Sequence, residues 1–221
     1  MCFSPEADIV AGVIVTAIGF DTIRHVGHDR ESAMAALPVI FGLHQLIEVP
    51  VWWAVESRVP MALGRGAAWL YLAIAFGLIP WAVPYAVRRL EVDQRRRTLM
   101  AALVALGVIV AVSLTIPILS ASISVVNAGN YLEYSASLFL GGALSVLYVA
   151  ATCGSMILSS DRVVVVYGWM NLVTVSVLAV LLRSGVISLW CVWAAVTSIA
   201  IAVHLHRLHR QHEGRVVLAG A

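Results

Sequence analysis

The sequence predicts an all-α integral membrane bundle of seven spanning helices, and three observations carry that reading. Of the 221 residues, 61% are hydrophobic and 12% charged, with a mean hydropathy of +0.94. The apolar residues fall in continuous runs near the ~20 residues that cross a bilayer as a helix. Charged and turn-forming residues collect between those runs. A soluble domain carries ~25% charged residues, so a chain this poor in charge cannot cover a water-facing surface. That excludes a soluble enzyme, a disordered regulator and a nucleic-acid-binding module. Strand barrels are excluded as well, because their spans alternate polar and apolar residues and these runs do not.

Taken in order, the first span covers residues 7–23 and stops at Arg24, and the second covers 33–55 and stops at Glu56. The third, 67–87, lies between Arg65 and Arg88, and the fourth, 98–120, follows Arg95, Arg96 and Arg97. Residues 121–134 are too polar to belong to a span. The fifth, 135–158, ends before Ser159, Ser160 and Asp161; the sixth, 162–182, ends at Arg183; the seventh is 186–206. With no internal repeat, residues 1–221 read as a single domain.

Positive charge is retained on the cytoplasmic side of a membrane. With the N-terminus outside, the inner segments hold Arg24, Arg30, Arg88, Arg89, Arg95, Arg96, Arg97, Arg162, Arg207, Arg210 and Arg215, and the outer ones Arg58, Arg65 and Arg183. Eleven against three predicts an outer N-terminus, a cytoplasmic C-terminus and a place in the cell inner (plasma) membrane. No Arg precedes the first apolar run, the reverse of a cleaved signal, so the first helix is expected to remain as an anchor. All fourteen basic residues are Arg, which excludes Schiff-base mechanisms that need a lysine amine. The three cysteines, Cys2, Cys153 and Cys191, are an odd number, and no disulfide framework is expected.

In lipid the informative residues are polar ones, because burying them without partners is costly. His44 and Glu48 in the second span are spaced i, i+4 and share a face with Gln45 beside them. At 1.5 Å per residue His44 lies about 17 Å from the inner end of its helix, with Glu48 roughly 6 Å further out. A Glu at that depth is protonated, paired with a partner such as His44 or an Arg, or a metal ligand. The plainer alternative is a neutral carboxyl acting as a hydrogen-bonded tie between helices.

Other polar groups belong to the same outer half: Cys2, Ser4, Glu6 and Asp8 at the first helix, Asn127, Asn130, Glu133 and Tyr134 before the fifth, Asn171 in the sixth, and Trp190 and Cys191 in the seventh. Thiolate, imidazole and carboxylate at one depth make a ligand set for a transition metal such as zinc, copper or iron. The candidate ligands are Cys2, His44, Glu48 and Glu133, with Gln45, Asn130, Asn171 and Trp190 in support. Glu48 and Cys2 are the candidate catalytic groups. Once the initiator Met is removed, Cys2 can chelate through its amine and thiolate or act as a nucleophile; as plain structure, it is a small buried hydrophobe. A second cluster, His204, His206, His209 and His212 with His25 and His28, scatters over several helix faces and reads as a tail lying against anionic headgroups.

The opening Met1-Cys2-Phe3-Ser4, the segment Phe41-Gly42-Leu43-His44-Gln45-Leu46-Ile47-Glu48 followed by Trp53, and the run Val186-Ile187-Ser188-Leu189-Trp190-Cys191 resemble a bacterial multi-pass membrane family whose members begin Met-Cys-Phe-Ser. The resemblance spans nearly the whole chain and implies no known reaction. The chain departs from the family pattern at His44, where a second Gln is expected before Gln45. It departs again at Gly129-Asn130-Tyr131-Leu132-Glu133-Tyr134, where relatives tend to place a His pair before a Tyr. If those histidines are ligands in relatives, the site is altered in this chain or His44 substitutes for them.

Three functions fit these residues. The first is a membrane-embedded metal or thiol protein, a hydrolase or redox protein acting on a lipid-soluble substrate. The second is a small-molecule receptor, sensor or proton-coupled carrier, compatible with Pro38, Pro50, Pro80, Pro84 and Pro117 inside the spans. The third is an accessory subunit, whose His44 and Glu48 would point outward toward a partner chain. The bilayer is the partner common to all three, and nucleic acid is a partner in none.

Overall fold

A computed structural model describes residues 4–120, 124–127, 129, 131–135, 141–181, 193, 197 and 199–203. Its elements are α1 (Pro5–Arg24), α2 (Ser32–Val55), α3 (Met61–Leu90), α4 (Gln94–Ser120), the strands β1 (Ser124–Asn127) and β2 (Leu132–Ser135), α5 (Gly141–Ile157) and α6 (Arg162–Leu181). Residues 199–203 are also helical. Among the described residues, four helices are long and apolar enough to cross a membrane: Ser32–Val55, Met61–Leu90, Gln94–Leu119 and Arg162–Val180.

Helix α1 starts where Ser4, extended at φ −169° and ψ 157°, accepts the Ala7 N–H on its side chain at 3.2 Å, with Pro5 in the first turn. Its buried residues are Pro5, Asp8, Gly12, Val15, Gly19 and Thr22, alternating three and four apart, while Ile9, Val10, Val13, Ile14 and Phe20 are exposed. The small and polar stripe faces inward and the large apolar residues face out, the inverse of a helix packed in water. Glycines on both helices let α1 and α2 touch backbone to backbone. A Cβ at Gly19 would sit 2.6 Å from the Val39 amide nitrogen, and one at Gly42 would sit 2.5 Å from that of Thr16.

Helix α3 is interrupted by a π-helical turn at Ala73–Leu78, just before Pro80. There the Ile79 N–H reaches the Ile74 carbonyl, five residues back. In that register the Ala75 carbonyl would need an N–H from Pro80, which has none. The Tyr148 hydroxyl of α5 donates to Ala75 O instead, at 3.0 Å, and the Trp81 indole donates to Gly77 O at 3.0 Å.

At the arginine-rich end, Glu91 in the α3–α4 turn is buried yet well partnered. Its carboxylate accepts the N–H groups of Val92 and Asp93 at 2.9 Å each, the Ser160 N–H at 2.7 Å and the Ser160 hydroxyl. Arg96 donates to the carbonyls of Leu158 and Ser159, at 2.9 and 3.0 Å, and Arg89 to that of Asp29 at 2.9 Å. Of the basic residues expected to orient the chain, Arg96 therefore also caps the end of α5, and Arg89 ties the α1–α2 connection to the end of α3.

Three boundaries differ from the sequence reading. Residues 121–134 are not merely a polar connection: they hold an antiparallel hairpin pairing Ser124 with Ser135 and Asn127 with Leu132, so the chain is not wholly α. Because β2 runs to Ser135, the next helix begins at Gly141 rather than 135. The third helix extends from 61 to 90 rather than 67 to 87, since Arg65 ends an apolar run without ending a helix. Most of the expected span 186–206 lies outside the described residues, as does the 204–221 tail with its four histidines. His25 and His28 are exposed.

Burial raises the Glu91 pKa, but the Ser160 hydroxyl and the amides of Asp93, Ser160 and Val92 outweigh it and hold the carboxyl below its ordinary 4.5. A depressed folded pKa contributes stability that is present above the unfolded value and lost as pH falls through the folded one. Glu91→Gln is expected to lower stability by about 2 kcal/mol at pH 7 and to remove the part of the wild-type acid lability that sets in below 4.5. Thermal unfolding in detergent from pH 7 to pH 3 checks both effects.

Candidate functional site

Helix α2 presents His44, Glu48 and Trp52, one helical turn apart along a single ridge, with Gln45 beside them. His44, Gln45 and Glu48 have no exposed surface, and neither has Asp8 of α1. The ridge is closed by three neighbours. From α1, Asp8 accepts the Trp52 indole N–H on Oδ2 at 3.0 Å. From α3, the Tyr71 ring stacks on the His44 ring with centroids 3.9 Å apart, and the Tyr71 carbonyl lies 2.9 Å from His44 Nε2. From β2, Tyr134 stacks on Tyr71 at 5.0 Å and donates its hydroxyl to Glu48 Oε1 at 3.0 Å.

The hairpin reaches this position through its own alternation. Leu132 is fully buried against Val51, Trp52 and Ala68, and Tyr134 packs with it. Strand side chains alternate faces, so Glu133 between them turns to the opposite side and is half-buried.

A carbonyl can only accept, so His44 Nε2 carries the proton in its contact with Tyr71 O. That leaves the lone pair of a neutral imidazole on Nδ1. Nδ1 is buried and has no hydrogen-bond partner among the described residues. The arrangement is that of a histidine held by one nitrogen so that the lone pair of the other is fixed in direction. It offers an acceptor for a metal ion or a hydrogen-bond donor, one turn from a carboxylate.

The structure brings His44, Gln45 and Glu48 together as their spacing implied. Asn171 in α6 is nearly buried and donates to the Tyr167 carbonyl of its own helix at 2.9 Å. Cys2, Asn130 and Trp190 lie outside the described residues. Among the described residues no group of three or more His, Cys, Asp or Glu side chains is placed to hold a metal ion. Sequence reading placed Asp8 and Tyr134 in the outer half without giving either a role, and it did not single out Trp52 or Tyr71. Asp8 carried a usable signal: it stands four residues before Gly12 on the stripe that continues through Val15 and Gly19. Tyr71 carried none, because its contact with His44 depends on how α3 folds back over α2.

These features define a helical bundle, with four described helices long and apolar enough to cross a membrane and a buried polar core built around one helix. The chain matches a family of unknown function, DUF6629, over residues 1–216, and it belongs to that family. No curated protein and no solved structure matches it.

Tyr134→Phe removes the donor to Glu48 while keeping the stacked ring. It is expected to cost about 1–2 kcal/mol, as for a buried acceptor deprived of its donor, read as a fall in the thermal unfolding midpoint in detergent. Glu133→Gln, on the other strand face, is expected to leave the midpoint within about 0.5 kcal/mol of wild type.

Proposed function

We propose that this chain is a multi-pass inner-membrane protein of seven spans, with its N-terminus outside, whose outer-half core holds a transition-metal ion. The observation that supports the reading best is the His44 imidazole, tied to the Tyr71 carbonyl through Nε2 with Nδ1 buried and without a hydrogen-bond partner among the described residues. Glu48 is the second ligand, one turn away. The hydroxyl that Tyr134 donates to Oε1 fixes the carboxyl group's orientation at 3.0 Å. Cys2, two residues before the Ser4 cap of the helix that carries Asp8, supplies the third ligand. Gln45, beside the ridge, is a supporting residue of this reading, with Asn130, Asn171 and Trp190 assigned the same supporting part from the sequence. Glu133 has no place in this set, because strand alternation turns it away.

His44, Glu48 and Cys2 would hold the ion. Zinc bound there would supply the polarisation or water activation that hydrolysis of a lipid-soluble substrate needs, and copper or iron would supply redox chemistry. In a second reading the protein is a receptor or proton-coupled carrier with Glu48 as the proton site. The π-helical turn that begins two residues after Tyr71 favours it, since such irregularities collect at functional hinges. The accessory-subunit reading needs His44 and Glu48 on the surface, and both are wholly buried.

Elemental analysis of the full chain, purified without a histidine tag, separates the readings. Stoichiometric metal is expected in wild type and is expected to fall at least tenfold in Glu48→Gln and in Cys2→Ser, with helicity unchanged by circular dichroism. No stoichiometric metal in any preparation overturns the metal centre. In that case proteoliposome uptake or ligand binding that depends on pH in wild type but not in Glu48→Gln supports the carrier.

A further inference from the structure

Away from the polar core, a groove of about 460 Å³ runs between the first half of α6 and the helical segment that includes residues 199–203. Val166, Tyr167 and Met170 line one side, Trp193 and Ala200 the other, and Arg162 stands at one end. The walls are apolar. The Thr197 hydroxyl on that surface donates to the Trp193 carbonyl of its own helix at 3.0 Å, so it does not make the groove polar.

Among the described residues, nothing consumes the charge at the mouth. Arg162 is exposed and makes no ion pair or hydrogen bond with another described residue. The carboxylate of the adjacent Asp161 caps α6, accepting the N–H groups of Val163 and Val164 at 2.8 and 3.4 Å. Arg96, at the same end of the bundle, is engaged with the Leu158 and Ser159 carbonyls. Within the groove, the Trp193 indole N–H is buried and has no hydrogen-bond partner among the described residues.

We propose that this groove binds one anionic phospholipid of the leaflet at the arginine-rich end, its phosphate on Arg162 and an acyl chain lying along Val166, Tyr167 and Met170. Charge complementarity selects the occupant: one cation at the mouth of an otherwise apolar channel matches an amphiphile with a negative head. From Arg162 to Met170 the wall is about 12 Å long at 1.5 Å per residue, so the chain, and not only the headgroup, is held. The Trp193 N–H supplies a donor for an ester oxygen of the lipid. A soluble anion would leave the walls wet, and a zwitterionic lipid brings no net charge to Arg162.

The full chain, reconstituted in vesicles of zwitterionic lipid doped with either anionic or zwitterionic lipid brominated on the acyl chain, tests this through tryptophan quenching. The chain has seven tryptophans, so the Trp193 signal is the difference between wild type and Trp193→Phe. That signal is expected to be quenched by the anionic lipid at about fivefold lower mole fraction than by the zwitterionic one, the preference one Arg near a membrane surface confers. Arg162→Gln is expected to remove the preference and Arg162→Lys to keep it, and free phosphate is expected not to compete. Equal quenching by both headgroups, or a preference that survives in Arg162→Gln, overturns the proposal. Trp169, exposed on the same helix, reports insertion: if neither lipid quenches it, α6 does not face lipid and the proposal falls for that reason.

Discussion

At Gly42 the backbone of α2 lies against α1 so closely that no side chain fits between them, and the geometry of the polar core follows from that contact. Gly12 and Gly19 on α1 make the matching surface. Helices that touch through glycines hold their depth and rotation relative to each other, because a shift along the axis drives a bulky neighbour into the backbone. With that register set, Asp8 at the start of α1 comes level with Trp52 near the end of α2, and the two make a buried hydrogen bond. Glu48 and His44 follow at one and two turns along the same ridge. The cost of keeping these groups out of water is met by neighbours that arrive from α1, α3 and the hairpin, each supplying a hydrogen bond or a stacked ring.

Irregular backbone and side-chain hydrogen bonds are coupled along α3. Pro80 forces a π-helical turn and deprives the Ala75 carbonyl of an amide partner, and Tyr148 from α5 takes its place. Just before that turn, the Tyr71 carbonyl meets His44 Nε2. A freed carbonyl buried away from water needs a donor from elsewhere in the protein. The donor that answers Ala75 O, the Tyr148 hydroxyl, also ties α3 to α5. The proline that disrupts one helix thereby strengthens its ties to the bundle.

The arginine-rich end shows a second use of charge. Arg89 and Arg96 donate to carbonyls at helix ends, and Glu91 gathers N–H groups from its own turn and from Ser160 across the bundle. The exposed arginine contacts fix loop positions more than they add net stability, whereas the buried Glu91 bonds also stabilise the fold. Membership of a family of unknown function supplies no chemistry, and the reading of the core rests on its own geometry.

Much of the architecture was legible in the residues. Long apolar runs require helices, because a helix satisfies every backbone group within one segment, and the runs at 33–55, 98–120 and 162–182 coincide closely with α2, α4 and α6. The i, i+4 spacing of His44 and Glu48 placed them on one face for the same local reason, the 3.6-residue period. What the residues did not reveal was everything that depends on contact between distant segments. The hairpin was invisible in a stretch notable only for polarity, since two four-residue strands are stabilised by packing on α2 rather than by propensity. Tyr71 and Tyr134 lie 63 residues apart in sequence, and only the fold-back of α3 and β2 stacks them over His44 and Glu48. Helix formation and facing are set by local periodicity, whereas the partners that let a buried imidazole and carboxylate exist at that depth are set by tertiary approach.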